Sequence, residues 1–243
     1  MTTMSRRPTR AQRPLTSLMS ETSTEVTRGR KTGTQPEPLV LPEWALRAIR
    51  LPIHALSKLL WRVRYSGLEH IPQSGGVIVA SNHQTYFDPF WVGVPIKRPI
   101  RFLAWNESFD WPVIGRFMGL FGAWPLKLEK SDPTAIRRSL QWLREGGAVY
   151  IFPEGGRCLP DGELMRFKNG AARLALEAGA PILPVTIRGA HRVWPKSYRL
   201  PRLAKVEIIF HPLQIVTPQP GEDSRVCARR ETDRLAEVIG SAL

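Results

Sequence analysis

A histidine and an aspartate stand five residues apart in Ser81-Asn82-His83-Gln84-Thr85-Tyr86-Phe87-Asp88-Pro89. Imidazole is the side chain whose ordinary protonation equilibrium lies nearest physiological pH, so His83 is a candidate general base. A loop of this length can fold back and let Asp88 accept from one ring nitrogen, leaving the other free to take a proton. No protein nucleophile is evident beside the pair, so the hydroxyl to be activated would belong to a substrate. Asp88 also precedes Pro89 at the expected start of a helix, where an aspartate commonly serves as N-cap. The two roles are compatible.

A second group follows another apolar run, in Val149-Tyr150-Ile151-Phe152-Pro153-Glu154-Gly155-Gly156-Arg157. The glycines let backbone N–H groups approach a ligand closely. Arg157 carries a planar fork suited to phosphate. Glu154 can accept from a ligand hydroxyl or hold Arg157 in place. A tight turn with a surface ion pair would look the same. Cys158, next in line, offers a thiol that could act as a nucleophile, or simply a small turn residue.

The elements that must position these loops are short and apolar. Strands are expected at Val77–Ala80, Ile100–Ala104, Gly122–Leu126, Ala148–Phe152, Ile182–Ile187 and Val206–Phe210. Helical patterns lie between them. One is opened by the cap Asp132 with Pro133 in the first turn and runs to about Glu145. Another spans Lys168–Ala178 and stops at Gly179, and a last one covers 224–242. Strands alternating with helices predict an α/β fold, a largely parallel sheet covered by helices. His83 and Glu154 would both lie just past strand C-termini, where α/β sheets place their sites.

Ahead of the sheet, residues 1–40 are rich in Arg, Thr, Ser and Pro and read as a disordered basic tail. Residues 41–64 carry two helical stripes. Glu43, Arg47, Arg50, His54, Lys58 and Arg62 form one, and Leu46, Ile49, Ile53, Leu56, Leu60 and Val63 the other. Pro52 is expected to kink or split this segment. Such a helix suits an in-plane membrane anchor and equally a surface helix packed on the domain. Residues 65–243 form the main domain.

The net charge of the 243-residue chain is +14, which favours anionic partners: lipid, phosphorylated substrate or nucleic acid. Two cysteines make neither a disulfide framework nor a zinc pair, and a reducing compartment is the default. No run of about 20 apolar residues spans a membrane, and the polar N-terminus has no secretory-signal core. His54, His70, His191 and His211 show no ligand spacing. No aromatic-studded basic patch reads as an RNA surface, so nucleic acid is not an expected partner.

Taken together, Asn82-His83-x4-Asp88 and Phe152-Pro153-Glu154-Gly155-x-Arg157 resemble the glycerolipid acyltransferases, typified by 1-acylglycerol-3-phosphate acyltransferase. Phe167-Lys168-Asn169-Gly170-Ala171-Ala172 and Pro181-Ile182-Leu183-Pro184-Val185 are similar to the family's later motifs, in the same order. The resemblance covers about residues 60–215. It implies acyl transfer from acyl-CoA or acyl carrier protein to a lysophospholipid hydroxyl, most simply 1-acylglycerol-3-phosphate, with no metal and no other cofactor. His83 would be the base and Asp88 its orienter. Asn82, Glu154, Gly155, Gly156, Arg157, Lys127 and Lys168 would line the substrate side. An anionic membrane would be the partner surface, met from the cytoplasmic face by a peripheral or monotopic protein. The sequence departs from the family where its second motif usually ends in arginine. Here Gly122–Lys130 offers only Lys127 and Lys130, and Gly156 and Cys158 replace the usual Thr and Ser. Another acceptor, such as glycerol-3-phosphate, a different lysophospholipid or a lyso-aminolipid, is the alternative. A non-catalytic basic binding protein is the rival from another class.

Overall fold

Val77–Ser81 is buried at every residue, as a strand is when helices cover both faces of its sheet. The computed structural model describes residues 40–110, 112–127, 132–158, 161–195 and 198–243; of Pro112, Val113 and Ile114 only the backbone is described. The expected tail lies outside them, Val40 excepted. Seven strands form one sheet among the described residues: β1 (Arg64–Ser66), β2 (Val77–Ser81), β3 (Ile100–Trp105), β4 (Ala123–Leu126), β5 (Ala148–Ile151), β6 (Ile182–Arg188) and β7 (Glu207–Phe210). Their order is β1-β7-β6-β2-β5-β3-β4. The pairs β6/β2, β2/β5, β5/β3 and β3/β4 are parallel, and β7 is antiparallel to β6 and carries β1 parallel to itself. The sheet is therefore mixed and largely parallel.

The core lies in two layers, one on each side of the sheet. Val77 and Val79 of β2 belong to a cluster with Trp61, Trp91, Tyr150, Leu183 and Phe210. Ile78 and Ala80, pointing the other way, join Leu140, Val149, Ala172, Ile182 and Leu235. Helices α4 (Pro133–Arg144), α5 (Gly170–Ala178) and α6 (Ser224–Gly240) supply the second layer. The expected helix signals act there. The Asp132 carboxylate accepts from Thr134 N and Ala135 N, and Gly179 ends α5 in the left-handed region. The short helix α2 (Asp88–Gly93) and the end of α1 (Glu43–Trp61) supply the first layer, and α3 (Pro112–Leu120) leads into β4.

Helix α1 differs from expectation in two ways. It runs through Pro52 as one helix. Pro52 and Ala48 are both exposed, so the carbonyl that loses its donor lies on the solvent side. Its phase also differs from the two expected stripes. Ser57 and Trp61 are buried and Trp91 Nε1 donates to Ser57 Oγ at 2.9 Å, which fixes the inward face. Arg50 and His54 turn partly inward with them. Trp44, Leu51 and Leu59 are left 74–76% exposed, with Leu56 beside them. Arg64, expected in the helical segment, belongs to β1, whose three residues were too few to read as a strand.

Candidate active site

The C-terminal ends of β6, β2 and β5 lie side by side at one sheet edge, because the chain returns on either side of β2. This is the switch point at which open α/β sheets bind ligands. The loop after β2 carries His83, the loop after β5 carries Glu154–Cys158, and the turn after β6 carries His191.

His83 is held on every side. Its backbone N–H donates to Glu154 Oε1 at 2.6 Å, and its carbonyl accepts from Cys158 N at 2.7 Å. Its ring stacks on Phe152, with centroids 3.9 Å apart and planes at 19°. Nδ1 lies 2.9 Å from Asp88 Oδ2. An ionised carboxylate only accepts, so Nδ1 carries the hydrogen and Nε2 keeps its lone pair. The His83 side chain is 16% exposed and that of Asp88 0%, so the base meets solvent and its partner does not.

Asp88 sits at the start of α2 without capping it. The N-cap is Phe87, with no side-chain cap bond. The carboxylate instead reaches back, and Oδ2 accepts from Gln84 N at 2.6 Å and Thr85 N at 2.8 Å as well as from His83. Three donors thus converge on one oxygen, while the buried Oδ1 has no hydrogen-bond partner among the described residues. Nearby, Ser81 Oγ donates to the Asn82 carbonyl and so accepts from the Tyr150 hydroxyl at 2.6 Å. Burial, then the charge of Asp88, push the Tyr150 phenol well above its ordinary range. Tyr150 therefore stays protonated at neutral pH.

The remaining expected residues divide in two. Asn82 is fully buried and clamps β2 to β6: its Nδ2 donates to Ile187 O at 2.8 Å and its Oδ1 accepts from Ile187 N at 2.7 Å. Glu154, also buried, accepts from Met165 N at 2.9 Å with the oxygen not used by His83 N. The structure puts both residues in the frame of the loop, where the sequence reading had put them on the substrate side. Gly155, Gly156, Arg157 and Lys168 stay together around the turn after β5. Lys168 N donates to Pro153 O at 2.8 Å. Gly155 has φ +69°, and a Cβ there would stand 2.6 Å from Lys168 Nζ, so glycine leaves room for the ammonium group. The Arg157 guanidinium lies 4.0 Å from the ring centroid of Tyr86.

Lys127 follows β4, two strands from β5 and parallel to it, so it leaves the sheet at the same end as this turn, about 10 Å to the side by strand spacing. It is exposed, and Lys130 lies outside the described residues. The sequence reading missed Gln84, a buried link whose Oε1 accepts from His191 N at 3.1 Å. Its place beside His83 was the only signal. Cys158 is buried, and its contribution to His83 is a backbone bond. Among the described residues no three of His, Cys, Asp and Glu converge as metal ligands.

A family model described as acyltransferase matches residues 62–188, just over half of the chain. The chloroplastic 1-acyl-sn-glycerol-3-phosphate acyltransferase of Arabidopsis thaliana is 29% identical over 183 residues, 74% of this chain and 49% of that one. The 1-acyl-sn-glycerol-3-phosphate acyltransferase of Pseudomonas aeruginosa is 29% identical over 164 residues, 65% of this chain and 62% of that one. This chain thus spans about half to three fifths of those two relatives. The crystal structure of the 1-acyl-sn-glycerophosphate acyltransferase of Thermotoga maritima has the same fold, with a TM-score of 0.63 and 23% identity over 82% of this chain and 78% of that one.

Proposed function

Because the chain belongs to the acyltransferase family, we propose that it transfers an acyl group from acyl-CoA or an acyl carrier protein to the free hydroxyl of a lysophospholipid, converting 1-acylglycerol-3-phosphate to phosphatidate. The observation that carries this reading is the His83–Asp88 pair, with Nε2 left as the free basic nitrogen. His83 Nε2 takes the proton of the acceptor hydroxyl as its oxygen attacks the thioester carbonyl. The tetrahedral intermediate collapses, the C–S bond breaks, and the leaving thiolate receives the proton from the imidazolium. No acyl-enzyme forms. Asp88, buried and charged, supports the imidazolium between the two steps. Arg157 and Lys168, flanking Gly155, are the cations for the acceptor phosphate.

Glu154 acts through His83. Glutamine at this position turns one acceptor oxygen into a donor, so either His83 N or Met165 N loses its partner. The expected result for Glu154→Gln is a fall in kcat of about ten- to hundredfold from misplacement of the base. The acceptor KM should change by less than about threefold, and the lost buried bond, about 1–3 kcal/mol, should lower the melting temperature by several degrees. A raised acceptor KM with intact kcat would return Glu154 to acceptor binding.

The acceptor has a second reading. Lys127 stands where the family's second motif usually has arginine, and a lysine cannot reproduce arginine's planar fork on a phosphate. Another lysophospholipid, glycerol-3-phosphate or a lyso-aminolipid would use the same base. Thiol release from acyl-CoA and from acyl carrier protein thioesters, measured over this acceptor panel, decides between them. Lack of release above background with every donor and acceptor would sink the proposed reaction.

The membrane is the remaining partner. Among the described residues no helix is long and apolar enough to cross one. The exposed face of α1 (Trp44, Leu51, Leu56, Leu59) is bordered by Arg47, Lys58 and Arg62, which suits in-plane attachment to an anionic surface. On this reading the protein sits on the cytoplasmic face of a membrane, peripheral or monotopic. Cys158 and Cys227 are buried and, among the described residues, in no disulfide, which suits a reducing compartment. Point substitutions are the proper probe, since a deletion through residue 64 would remove buried Trp61 and the β1 pairing. The triple change Trp44→Ser, Leu51→Ser, Leu59→Ser should reduce binding to phosphatidylglycerol vesicles by roughly 100-fold or more. Turnover of a soluble short-chain substrate should be retained. Unchanged vesicle binding would remove α1 from this role.

A further inference from the structure

Beyond β6, on the side of the site away from Glu154, lies a cavity of about 770 Å³ lined by Arg188, His191, Arg192, Arg202, Lys205 and Glu207, among others. Its volume suits a small-molecule ligand. Its charge is lopsided. Arg188 and Glu207 face each other across the β6/β7 ladder and form an ion pair, so they cancel. Among the described residues no carboxylate pairs with Arg192, Arg202 or Lys205. His191 adds no charge at neutral pH, because burial and then Arg192 lower its pKa, against a smaller opposing effect of Asp161. Three cations therefore line one hollow. Gly189, with φ +82°, makes the hollow possible: a Cβ there would stand 2.5 Å from the Lys205 carbonyl, so only glycine lets the two loops pass.

The hollow is joined to the candidate active site. β6 runs parallel to β2, so the segment after Arg188 emerges at the same sheet edge as His83. His191 is tied to Gln84, the neighbour of His83, by its backbone N–H. The surface between them is aromatic. Arg157 lies over Tyr86, and Tyr86 meets Trp194 edge-on with ring centroids 5.7 Å apart. Pro195, next to Trp194, lines the cavity.

These cations lie beyond β6, across β2 from Arg157 and Lys168, which are already assigned to the acceptor's phosphate, so they suit the phosphate of the other substrate. That phosphate is carried at the far end of a long flexible arm. We infer that this hollow binds the nucleotide-phosphate end of a coenzyme A thioester, with the pantetheine arm crossing Trp194 and Tyr86 toward His83. This rests on the acyl-CoA donor of the proposed function.

The test uses adenosine 3′,5′-bisphosphate as the probe in a calorimetric titration of the full chain. Arg192→Ala and Lys205→Ala should each weaken its binding roughly tenfold or more, as loss of a charge-assisted phosphate bond does. Arg192→Lys should recover part of the loss, and melting temperatures should not move. In turnover the same variants should raise the KM for acyl-CoA about tenfold and leave turnover of an acyl-pantetheine thioester, which lacks the nucleotide, unchanged. Equal losses with both donors, or wild-type affinity for the bisphosphate in the alanine variants, would overturn the inference. So would variants that bind the bisphosphate normally but lose phosphatidylglycerol vesicles, since the hollow would then hold a lipid headgroup. If no thioester is turned over while the bisphosphate still binds through Arg192 and Lys205, the proposed reaction fails and the nucleotide site stands.

Discussion

Alanine in place of His83 is expected to lower kcat by about 10²–10⁴-fold, the usual contribution of a positioned general base. The KM of donor and acceptor should change little, because the imidazole is not among the groups assigned to bind either one. The fold should survive. The backbone of His83 keeps its bonds to Glu154 and Cys158, and the ring is partly exposed, so its removal leaves Phe152 uncovered without opening a sealed cavity. The measurement is thiol release under saturating substrates, with circular dichroism to check folding. A folded His83→Ala protein that works at the wild-type rate would remove the histidine from the chemistry.

Asp88→Asn is expected to act differently from the same exchange in a hydrolase triad. There the amide turns the histidine to the wrong tautomer. Here all three donors converge on Oδ2. Asparagine can place its carbonyl oxygen at that point and keep every one of those bonds, including the one from Nδ1–H. Its amide nitrogen then occupies the position of Oδ1, which has no hydrogen-bond partner among the described residues. What is lost is the negative charge beside the imidazolium. At about 4 Å and an effective dielectric of ~20 that charge is worth up to about 4 kcal/mol, so kcat should fall by roughly 10²–10³-fold. The acceptor KM should stay near the wild-type value. Asp88→Ala should be worse in a second way. It strands Gln84 N and Thr85 N in a buried site at about 1–3 kcal/mol each, so it should lose stability as well as rate. Wild-type kcat in a folded Asp88→Asn protein would end the proposed electrostatic role.

Much of the frame was legible in the residues. Val77–Ala80 and Ala148–Ile151 are unbroken apolar runs preceded by glycine, and Ile182–Ile187, preceded by proline, is interrupted only by Pro184 and Thr186; runs of this length and texture read as buried strands. Asp132-Pro133 and Gly179 announce a helix start and a helix end through local backbone chemistry, and the structure uses them so. β1 escaped notice because three residues carry no period. Pro52 was read by its local effect alone, and the helix passes through it on the exposed side.

The candidate site was legible as a set of residue types and not as a set of roles. Sequence order puts His83 and Glu154 at the ends of two apolar runs. Only the parallel pairing of β2 with β5 makes them neighbours and turns Glu154 into a hydrogen-bond acceptor for the histidine's own backbone. Arg157 and Lys168 stay by the site because the turn after β5 holds them, while Lys127 follows the edge strand β4. The phase of α1 likewise rests on long-range contacts, Trp91 with Ser57 and Trp61 with Arg202, which no periodicity contains.

The pair with which the chain is most easily recognised shows the division most clearly. The five-residue spacing of His83 and Asp88 is a property of the chain, and the chemistry of imidazole beside carboxylate follows from it wherever the loop can fold back. Which oxygen is used, which tautomer results and whether Asp88 caps its helix are decided by the backbone N–H groups of Gln84 and Thr85. Covalent order determines which groups are near in sequence. Directional hydrogen bonds in a buried place determine which of them meet, and those form only when the sheet edge closes around them.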